Sequence, residues 1–434
     1  MIVRLVAAAL ALAGFALTLR VFWPGLQTFD AGYVYDSIKA ERFGDWQSPM
    51  MAIVWSLVDP VAPGAASMLL LTASLYWGAF GLLGWAFAKR SRTAALLLPL
   101  LALTPPAFVF VGVIWRDMLF AVIWLFGAAL VFAAAEREKP LRVAAQAIAL
   151  GLLGLGVLLR PNAIFAAPLL AVYVLWPARF SWRRAALLLV PMAAAFALLI
   201  QLVYYGILDA KRQHPLHSLL VFDLGGITHF TKDNQFPVAW TGEQRLLLAE
   251  SCYKPELWDV YWYLEPCRFV MERLEADRLF GAPALAEAWR RAVTAHPLAY
   301  LQHRATFFWT FLAGANPALP LDDIAAQTRA AWMQDAFFRT LVNLHDALQP
   351  TLLFRVGFWL AALLAVCGWA WPLRETPPGA FALALGTCAL VYLLTFFAVG
   401  VAVDFRYAYW PVLAAVAAAA AIPGGRRPVT GCTA

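Results

Sequence analysis

Long apolar runs separated by short polar segments make up most of this chain. A helix needs about 20 mostly apolar residues to cross a membrane, because only a helix satisfies its own backbone hydrogen bonds in hydrocarbon. The pattern predicts ten such helices, near 3–22, 64–88, 94–113, 118–135, 143–159, 163–177, 185–206, 351–372, 379–401 and 407–422. It therefore predicts an all-α polytopic membrane protein.

The composition agrees with that fold class. Of the 434 residues, 63% are hydrophobic and only 14% are charged, with a mean hydropathy of +0.70. The net charge of +7 comes from arginines in short loops, where basic residues orient a membrane protein and contact anionic lipids. Nucleic-acid binding is not indicated. The first run could be a secretory signal, but Arg4 and nine further runs favour a retained helix.

Basic residues cluster in alternate loops. The clusters are Lys89-Arg90 with Arg92, Arg137 with Lys139 and Arg142, Arg179 with Arg183-Arg184, Arg374, and Arg426-Arg427. Because short basic loops stay in the cytoplasm during insertion, we predict that both termini are cytoplasmic. The segments on the outer face are then 23–63, 114–117, 160–162, 207–350 and 402–406.

This topology divides the chain into three regions. Residues 1–206 are an N-terminal transmembrane region of seven spans, with a first outer loop at 23–63. Residues 207–350 are an outer-face loop domain, where aromatic residues mixed with charges predict helices on the bilayer surface. Residues 351–434 are a C-terminal transmembrane region of three spans and a cytoplasmic tail. The apolar segment 304–315 is short for a span, so we predict that it is interfacial or re-entrant.

Two of the five cysteines lie in the predicted outer loop domain. Cys252 and Cys267 have fourteen residues between them, and an oxidising compartment favours a disulfide there over two free thiols. Cys367 and Cys388 fall in predicted spans and Cys432 in the tail, where packing accounts for them.

Polar residues from five loops share the predicted outer face. They are Asp30, Asp36, Asp45, Asp117, Arg160, Asn162, Asp404 and Arg406. Any one of them is as well explained by a membrane anchor or a solvated loop charge. Because five loops contribute to one face, we expect an active site there.

Four motifs on that face resemble the GT-C superfamily of membrane glycosyltransferases, in particular family 39. Asp30 follows the first span among aromatic residues, and Gly44-Asp45-Trp46-Gln47-Ser48-Pro49 closes the first loop, where relatives often have His-Pro-Pro. Asp117 opens a later span in Trp115-Arg116-Asp117, and Arg406-Tyr407 precedes the last span. The order of these motifs and the span count extend the resemblance over most of the chain.

The resemblance implies an inverting transfer of a sugar from a polyprenyl-phosphate donor to a glycan, lipid or protein acceptor. It also implies a site that faces the periplasm from a bacterial inner membrane. A carboxylate within reach of the acceptor hydroxyl supplies the base, which we predict to be Asp30, and Asp117 is predicted to act beside it. Arginine binds phosphate oxygens through paired hydrogen bonds, so Arg160 and Arg406 are predicted to bind the lipid phosphate, although both also fit anchor or ion-pair roles.

Further substrate contacts are predicted near these residues. They are Asn162, Tyr407, Tyr33, Asp45, Trp46 and Gln47. Trp46 and Gln47 also fit packing at the membrane interface, and Asp45 also fits loop structure. No metal is assigned, because the histidines His214, His217 and His229 fit solvated loop positions as well as ligand positions; a divalent metal stays possible.

A transporter or flippase of a lipid-linked or small polar substrate is the main alternative. Such a protein has charges and broken helices near the membrane centre, whereas the middles of these runs are nearly free of charge and carry only prolines such as Pro99, Pro105 and Pro191. A scaffold of an envelope complex is a third possibility, and it predicts that no outer-face carboxylate matters for activity.

Overall fold

The computed structural model describes residues 1–324 and 326–425. The basic pair Arg426-Arg427 and Cys432 lie outside the described residues. The part of the chain N-terminal to residue 208 contains ten α-helices and two short strands. They are α1 (Ile2–Phe22), β1 (Leu26–Gln27), α2 (Phe29–Lys39), α3 (Pro49–Val58), α4 (Ala65–Phe87), α5 (Arg92–Leu101), α6 (Pro105–Phe108), β2 (Val113–Ile114), α7 (Arg116–Ala134), α8 (Lys139–Leu159), α9 (Ala167–Leu175) and α10 (Trp182–Ile200).

Ten more α-helices follow in the described residues. Seven of them lie between positions 208 and 350: α11 (Leu216–Thr231), α12 (Gly242–Glu250), α13 (Phe269–Ala276), α14 (Pro283–Ala295), α15 (Pro297–Gly314), α16 (Ala326–Gln334) and α17 (Ala336–Leu348). The last three are α18 (Val356–Ala370), α19 (Pro377–Val399) and α20 (Tyr409–Ala421). The protein is an all-α membrane protein, as the apolar runs predict.

Eight helices of the described chain are long and apolar enough to cross a membrane. Counted with their short continuations, they are Ile2–Phe22, Ala65–Phe87, Arg116–Ala134, Lys139–Leu159, Trp182–Ile207, Val356–Leu373, Pro377–Val399 and Phe405–Gly425. Each overlaps one of the ten predicted spans. The uninterrupted apolar runs were therefore predicted correctly.

The two remaining predicted spans, 94–113 and 163–177, are not single long helices. Proline lacks an N–H group and clashes with the preceding turn, so it interrupts a helix. In the first segment α5 ends at Leu101, and Pro105 begins the separate four-residue helix α6. The second segment is a 3₁₀ turn, Pro161–Phe165, followed by the nine-residue α9. Eight of the ten predicted spans are therefore single long helices, and the other two are broken segments.

Both broken segments still run back along a long neighbouring helix. The first begins beside the end of α4 and reaches β2, which pairs with β1 next to the start of α4. The second begins at the end of α8 and reaches Leu175, whose carbonyl accepts a hydrogen bond from Gln146 near the start of α8. Each broken segment therefore returns the chain to the end of the bundle at which the preceding long helix begins.

The predicted basic clusters before residue 426 meet at one end of the bundle, which we call the basic end. Lys89 and Arg90 both pair with Glu136, and Arg179 pairs with Glu375. The backbone of Phe180 donates to the carbonyl of Arg374 at 3.0 Å. The β1–β2 pair lies at the opposite end, which we call the strand end.

Burial differs sharply between the long helices. In α7, 83% of the apolar 18-residue stretch is buried inside the protein. In the helix that combines α10 with its continuation to Ile207, none of the corresponding stretch is buried. A helix that is apolar all round is a core helix when surrounded by protein and a lipid-facing one when it is not. Helix α7 therefore lies at the centre of the bundle and α10 at its lipid-facing edge.

Helix α15 contains the apolar segment 304–315 and extends it towards the N-terminus. It packs against α11, α18 and α19, and the side chains of His303 and Arg304 are fully buried in it. It is not among the eight helices apolar enough to span. Cys252 and Cys267 form a disulfide with their Cα atoms 5.6 Å apart, which links the end of α12 to the segment before α13.

Candidate active site

The strand end brings two acidic residues into matching positions. In the parallel pair of β1 and β2, Gln27 lies opposite Ile114. Asp30 and Asp117 each follow their paired residue by three positions, and each lies in the first turn of a helix, α2 and α7. Carboxylates are favoured there, because the N-terminal amides of a helix carry partial positive charge.

Asp30 is held by two side chains from distant parts of the chain. Gln47 donates to its Oδ1 atom at 3.0 Å, and Arg406 donates to its Oδ2 atom at 2.9 Å. A carboxylate oxygen has two lone pairs, so each oxygen keeps one for another donor. The Asp30 side chain is 36% exposed, and it lines a cavity of about 880 Å³.

A short extended segment, 401–405, fixes the position of Arg406. The backbone of Trp258 donates to the carbonyl of Val401 on one side of this segment, and Phe405 donates to Asn316 on the other. Asp404 accepts a hydrogen bond from the backbone of Arg406 at 2.9 Å. The segment is therefore anchored to two stretches of the 208–350 region.

Asp117 forms a buried ion pair with Arg160, and both side chains are less than 10% exposed. The Arg160 guanidinium lies 4.9 Å from the centre of the Tyr407 ring, and the Arg406 guanidinium lies 5.3 Å from it. Arg406 also lies 4.7 Å from the Trp115 ring. Both guanidinium groups thus lie near the ring of Tyr407, and cation–π attraction to that ring stabilises their positions.

Asp45 ties the first outer loop to the chain beyond α10. It accepts a hydrogen bond from the Tyr205 hydroxyl at 2.7 Å and one from the backbone of Gln213 at 2.6 Å. The Gln213 side chain donates to the Tyr33 hydroxyl and accepts from the backbone of Trp46. Both of these donors come from the chain just beyond α10, so the contacts of Asp45 are those of a loop anchor.

The cavity collects most of the predicted site residues. Its lining includes Asp30, Tyr33, Asp45, Trp46, Gln47, Asp117, Arg160, Asn162, Arg406 and Tyr407. Asp36, which the sequence placed on the same face, is instead an exposed surface residue whose side chain is 80% accessible.

Asp259 also lines the cavity and was missed by the sequence analysis. Its pKa is raised to about 6, chiefly by burial and also by the nearby Asp30, while Arg406 opposes the shift. The aromatic residues around it, from Trp258 to Tyr263, were interpreted as a surface helix at the membrane. A carboxylate inside that aromatic cluster was the available signal.

The aligned acidic residues of the site are paired with arginines. Within the described residues, no group of three or more His, Cys, Asp and Glu side chains could hold a metal ion. The two acidic residues that the β1–β2 pair aligns already face guanidinium groups, Asp30 with Arg406 and Asp117 with Arg160. In this structure, the charges of both carboxylates are balanced by arginines.

No family model matches the chain, and no curated protein matches it. Three solved structures of an oligosaccharyltransferase from Archaeoglobus fulgidus are similar to it. They are AglB in complex with an inhibitory peptide and a dolichol-phosphate, at 13% identity and a TM-score of 0.40, the apo form, at 13% and 0.39, and a form tethered to an acceptor peptide that contains the NVT sequon, at 15% and 0.41.

Each of these similarities covers 96% of this chain, and the chain spans about half the length of each solved protein.

Proposed function

We propose that this protein is an inverting glycosyltransferase that moves a sugar from a polyprenyl-phosphate donor to an envelope acceptor. The observation that carries the proposal is the cavity in which the Asp30 carboxylate and the guanidinium groups of Arg160 and Arg406 meet. A base for a hydroxyl and cations for a phosphate are the two chemical requirements of that transfer.

Asp30 is the proposed base. An inverting transfer forms a bond between the acceptor oxygen and the anomeric carbon while the bond from that carbon to the phosphate oxygen breaks on the opposite face. The acceptor hydroxyl loses its proton during the attack, and a carboxylate within hydrogen-bond reach accepts it. Gln47 and Arg406 fix both oxygens of Asp30 and leave a lone pair on each, so the carboxylate is oriented before the acceptor binds.

Arg406 and Arg160 are proposed to bind the departing phosphate. The phosphate gains charge as its bond to the sugar breaks, and fixed cationic donors stabilise that charge. Arg406 donates to Asp30 through Nη1, and its Nε lies 3.1 Å from Oδ2 of Asp404. The N–H groups of Nη2 are the ones proposed to bind phosphate. This places the base and the leaving group on two sides of one guanidinium.

The site's position in the bundle fits a lipid-linked donor. It lies at the strand end, where helices α2 and α7 begin and α8 ends. In a bilayer, lipid phosphates lie in the polar region where the apolar stretches of spanning helices end. The basic end is opposite, and the rule that basic loops stay in the cytoplasm supports a site that faces outwards. The resemblance to GT-C glycosyltransferases supports a bacterial inner membrane, with the site on its periplasmic face.

The test is transfer of radiolabelled sugar from a panel of polyprenyl-phosphate sugars to endogenous acceptors in membranes. We expect Asp30→Asn to abolish transfer at normal expression, because the amide keeps the shape but accepts no proton. Asp36→Asn is the matched control, since Asp36 lies on the same helix with an exposed side chain. Transfer that survives Asp30→Asn would remove Asp30 as the base.

A transporter would give a different result in the same membranes. It would move a labelled lipid-linked substrate across the bilayer without forming a glycosidic bond. The absence of transfer by the natural protein over the whole donor panel, with movement of the donor intact, would favour that alternative.

A further inference from the structure

Three indole rings form one wall of the cavity, and the proposed base and phosphate groups leave this wall without a role. The ring centres of Trp46 and Trp262 are 5.1 Å apart, those of Trp258 and Trp262 are 5.3 Å apart, and those of Trp46 and Trp258 are 5.8 Å apart. Asp259 lines the cavity beside them.

The backbone holds this wall in place without a ligand. The backbone N–H of Trp258 donates to the carbonyl of Val401 at 2.9 Å. The backbone N–H of Trp46 donates to the side-chain oxygen of Gln213 at 3.0 Å. The backbone of Trp262 donates to the carbonyl of Asp259 at 3.0 Å. The rings and the carboxylate therefore come from two loops that are each fixed to the rest of the site.

The position of the rings differs from that of membrane-interface tryptophans. An interfacial indole lies at the headgroups with its ring against lipid. Trp258 is only 4% exposed and Trp262 is 40% exposed, and both line a cavity that also contains Asp30 and Asp259. Acidic groups disfavour an acyl chain as the occupant.

A pyranose ring matches the chemistry of this wall. One face of a pyranose presents C–H bonds, which pack against the flat, apolar surface of an indole. Its edge presents hydroxyls, and a carboxylate can accept several hydrogen bonds from them. A phosphate would be repelled by Asp259, and an apolar ligand would leave the carboxylate without a partner.

We propose that Trp46, Trp258, Trp262 and Asp259 form a subsite for a pyranose ring. This proposal rests on the proposed function only for the origin of the ring, which belongs either to the donor sugar or to the acceptor. The subsite itself requires no transfer, so it can be tested by binding.

The binding test uses the full-length protein in lipid nanodiscs and saturation-transfer NMR. The probes are the methyl α- and β-glycosides of glucose, galactose and mannose and methyl arabinopyranoside. We expect saturation of ring C–H protons for at least one glycoside, a loss of at least fivefold in Trp262→Ala and in Asp259→Asn, and retention in Trp262→Phe, which keeps an aromatic face. Trp309→Ala is the control, because Trp309 is 71% exposed and outside the cavity lining.

Two results would overturn the subsite. One is the absence of saturation transfer from the natural protein to every glycoside in the panel. The other is equal saturation in the natural protein and in Trp262→Ala, with Trp262→Ala eluting as a monodisperse folded protein. Loss of signal in Trp262→Ala, with full signal in Trp309→Ala, supports it.

Steady-state transfer kinetics then identify the source of the sugar. A higher KM for the donor in Trp262→Ala assigns the ring to the donor, and a higher KM for the acceptor assigns it to the acceptor. Unchanged values for both substrates would overturn the subsite while the proposed function stands. Conversely, glycoside binding that depends on Trp262, in a protein without transfer activity, would support the subsite while the proposed function fails.

Discussion

Arg406 donates a hydrogen bond of 2.9 Å to Asp30 across 376 positions of the chain. The two residues come from the segment before the last long helix and from the helix after the first. Their pairing connects the first outer loop to the C-terminal region in the lining of the cavity. In the proposed reaction it also places the base beside the group that binds the phosphate.

Arg406→Lys should lower transfer by about 100-fold, a loss typical of removing one donor that stabilises developing charge. Lysine keeps the positive charge but lacks the planar fork that can bind a carboxylate and a phosphate together. The measurement is the initial rate of sugar transfer in membranes. Arg20→Lys is the control, because Arg20 forms a more exposed pair with Asp335. A natural rate in Arg406→Lys would mean that charge alone is sufficient at this position.

The buried pair of Asp117 and Arg160 should matter for stability as well as for activity. Removing one partner leaves an uncompensated buried charge, which costs about 3–5 kcal/mol. We therefore expect Asp117→Asn and Arg160→Met each to lower the melting temperature in detergent, and the double variant to recover part of the loss. Arg90→Met, which breaks a more exposed pair with Glu136, should change it little. Additive losses in the double variant would contradict a coupled pair.

Asp259 should make stability depend on pH. Burial, the first cause, and the nearby Asp30 raise its pKa from 3.8 to about 6. Between these pH values the folded chain retains a proton that the unfolded chain has released, so stability falls as the pH rises from about 4 to about 6 and stays lower above.

Asp259→Asn cannot ionise and should therefore melt at a higher temperature than the natural protein at pH 7.5, with no gain at pH 4. The shift corresponds to at most about 3 kcal/mol at about 1.4 kcal/mol per unit. Thermal melts of both proteins across this range provide the measurement, with Asp36→Asn as the control. A gain of equal size at pH 4 and pH 7.5 would exclude ionisation as the cause.

A second buried network supports the segment that carries Arg406. Asp223 pairs with Arg304 and accepts a hydrogen bond from Trp289 at 2.7 Å. Arg304 in turn donates to the carbonyl of Gly400 at 2.7 Å. Both charged side chains are fully buried, so the pair connects α11 and α15 to the start of the 401–405 segment.

Asp223→Asn should destabilise the protein by about 3 kcal/mol or more, because it leaves the Arg304 charge buried without a counter-ion. It should also reduce transfer, since the 401–405 segment loses part of its support. Melting temperature and transfer rate are both measured, with Asp277→Asn as the control because Asp277 and Arg273 form a more exposed pair. A normal rate in a destabilised variant would separate stability from positioning.

The disulfide between Cys252 and Cys267 closes a loop with a sequence separation of 15. A cross-link of that span is expected to contribute about 3 kcal/mol by restricting the unfolded chain. Replacing both cysteines by serine should therefore lower the melting temperature, and peptide mass spectrometry with and without reduction should show the cross-link. Recovery of both thiols free from native membranes would contradict it.

The long helices were predictable from the sequence, and the broken ones were not. An uninterrupted apolar run has one low-energy solution in hydrocarbon, so α4, α7 and α19 follow from composition alone. The segment 94–113 has the same average hydropathy pattern, but Pro105 and Pro106 divide it. The average hydropathy of a run does not show where a proline, which lacks the N–H group, ends one helix and begins another.

The alternation of loops between the two membrane faces was enough to predict that the polar residues lie at one end of the bundle. It did not predict which of these residues pair with each other. Sidedness alone placed Asp30, Asp117, Arg160 and Arg406 on one face. That Asp30 pairs with Arg406 depends on tertiary contacts formed by the strand register and the 401–405 segment. Asp259 was missed because its aromatic neighbours matched the composition of an interfacial helix.

The parallel pairing of β1 with β2 makes loop length a property of the site. Asp30 and Asp117 each lie three positions beyond paired residues, so backbone hydrogen bonds set where both helices begin. One residue inserted between Gln27 and Asp30 would turn Asp30 by about 100° around its helix, since a helix has about 3.6 residues per turn, while Asp117 stayed in place. The site therefore constrains the spacing in these two loops as well as the two carboxylates themselves.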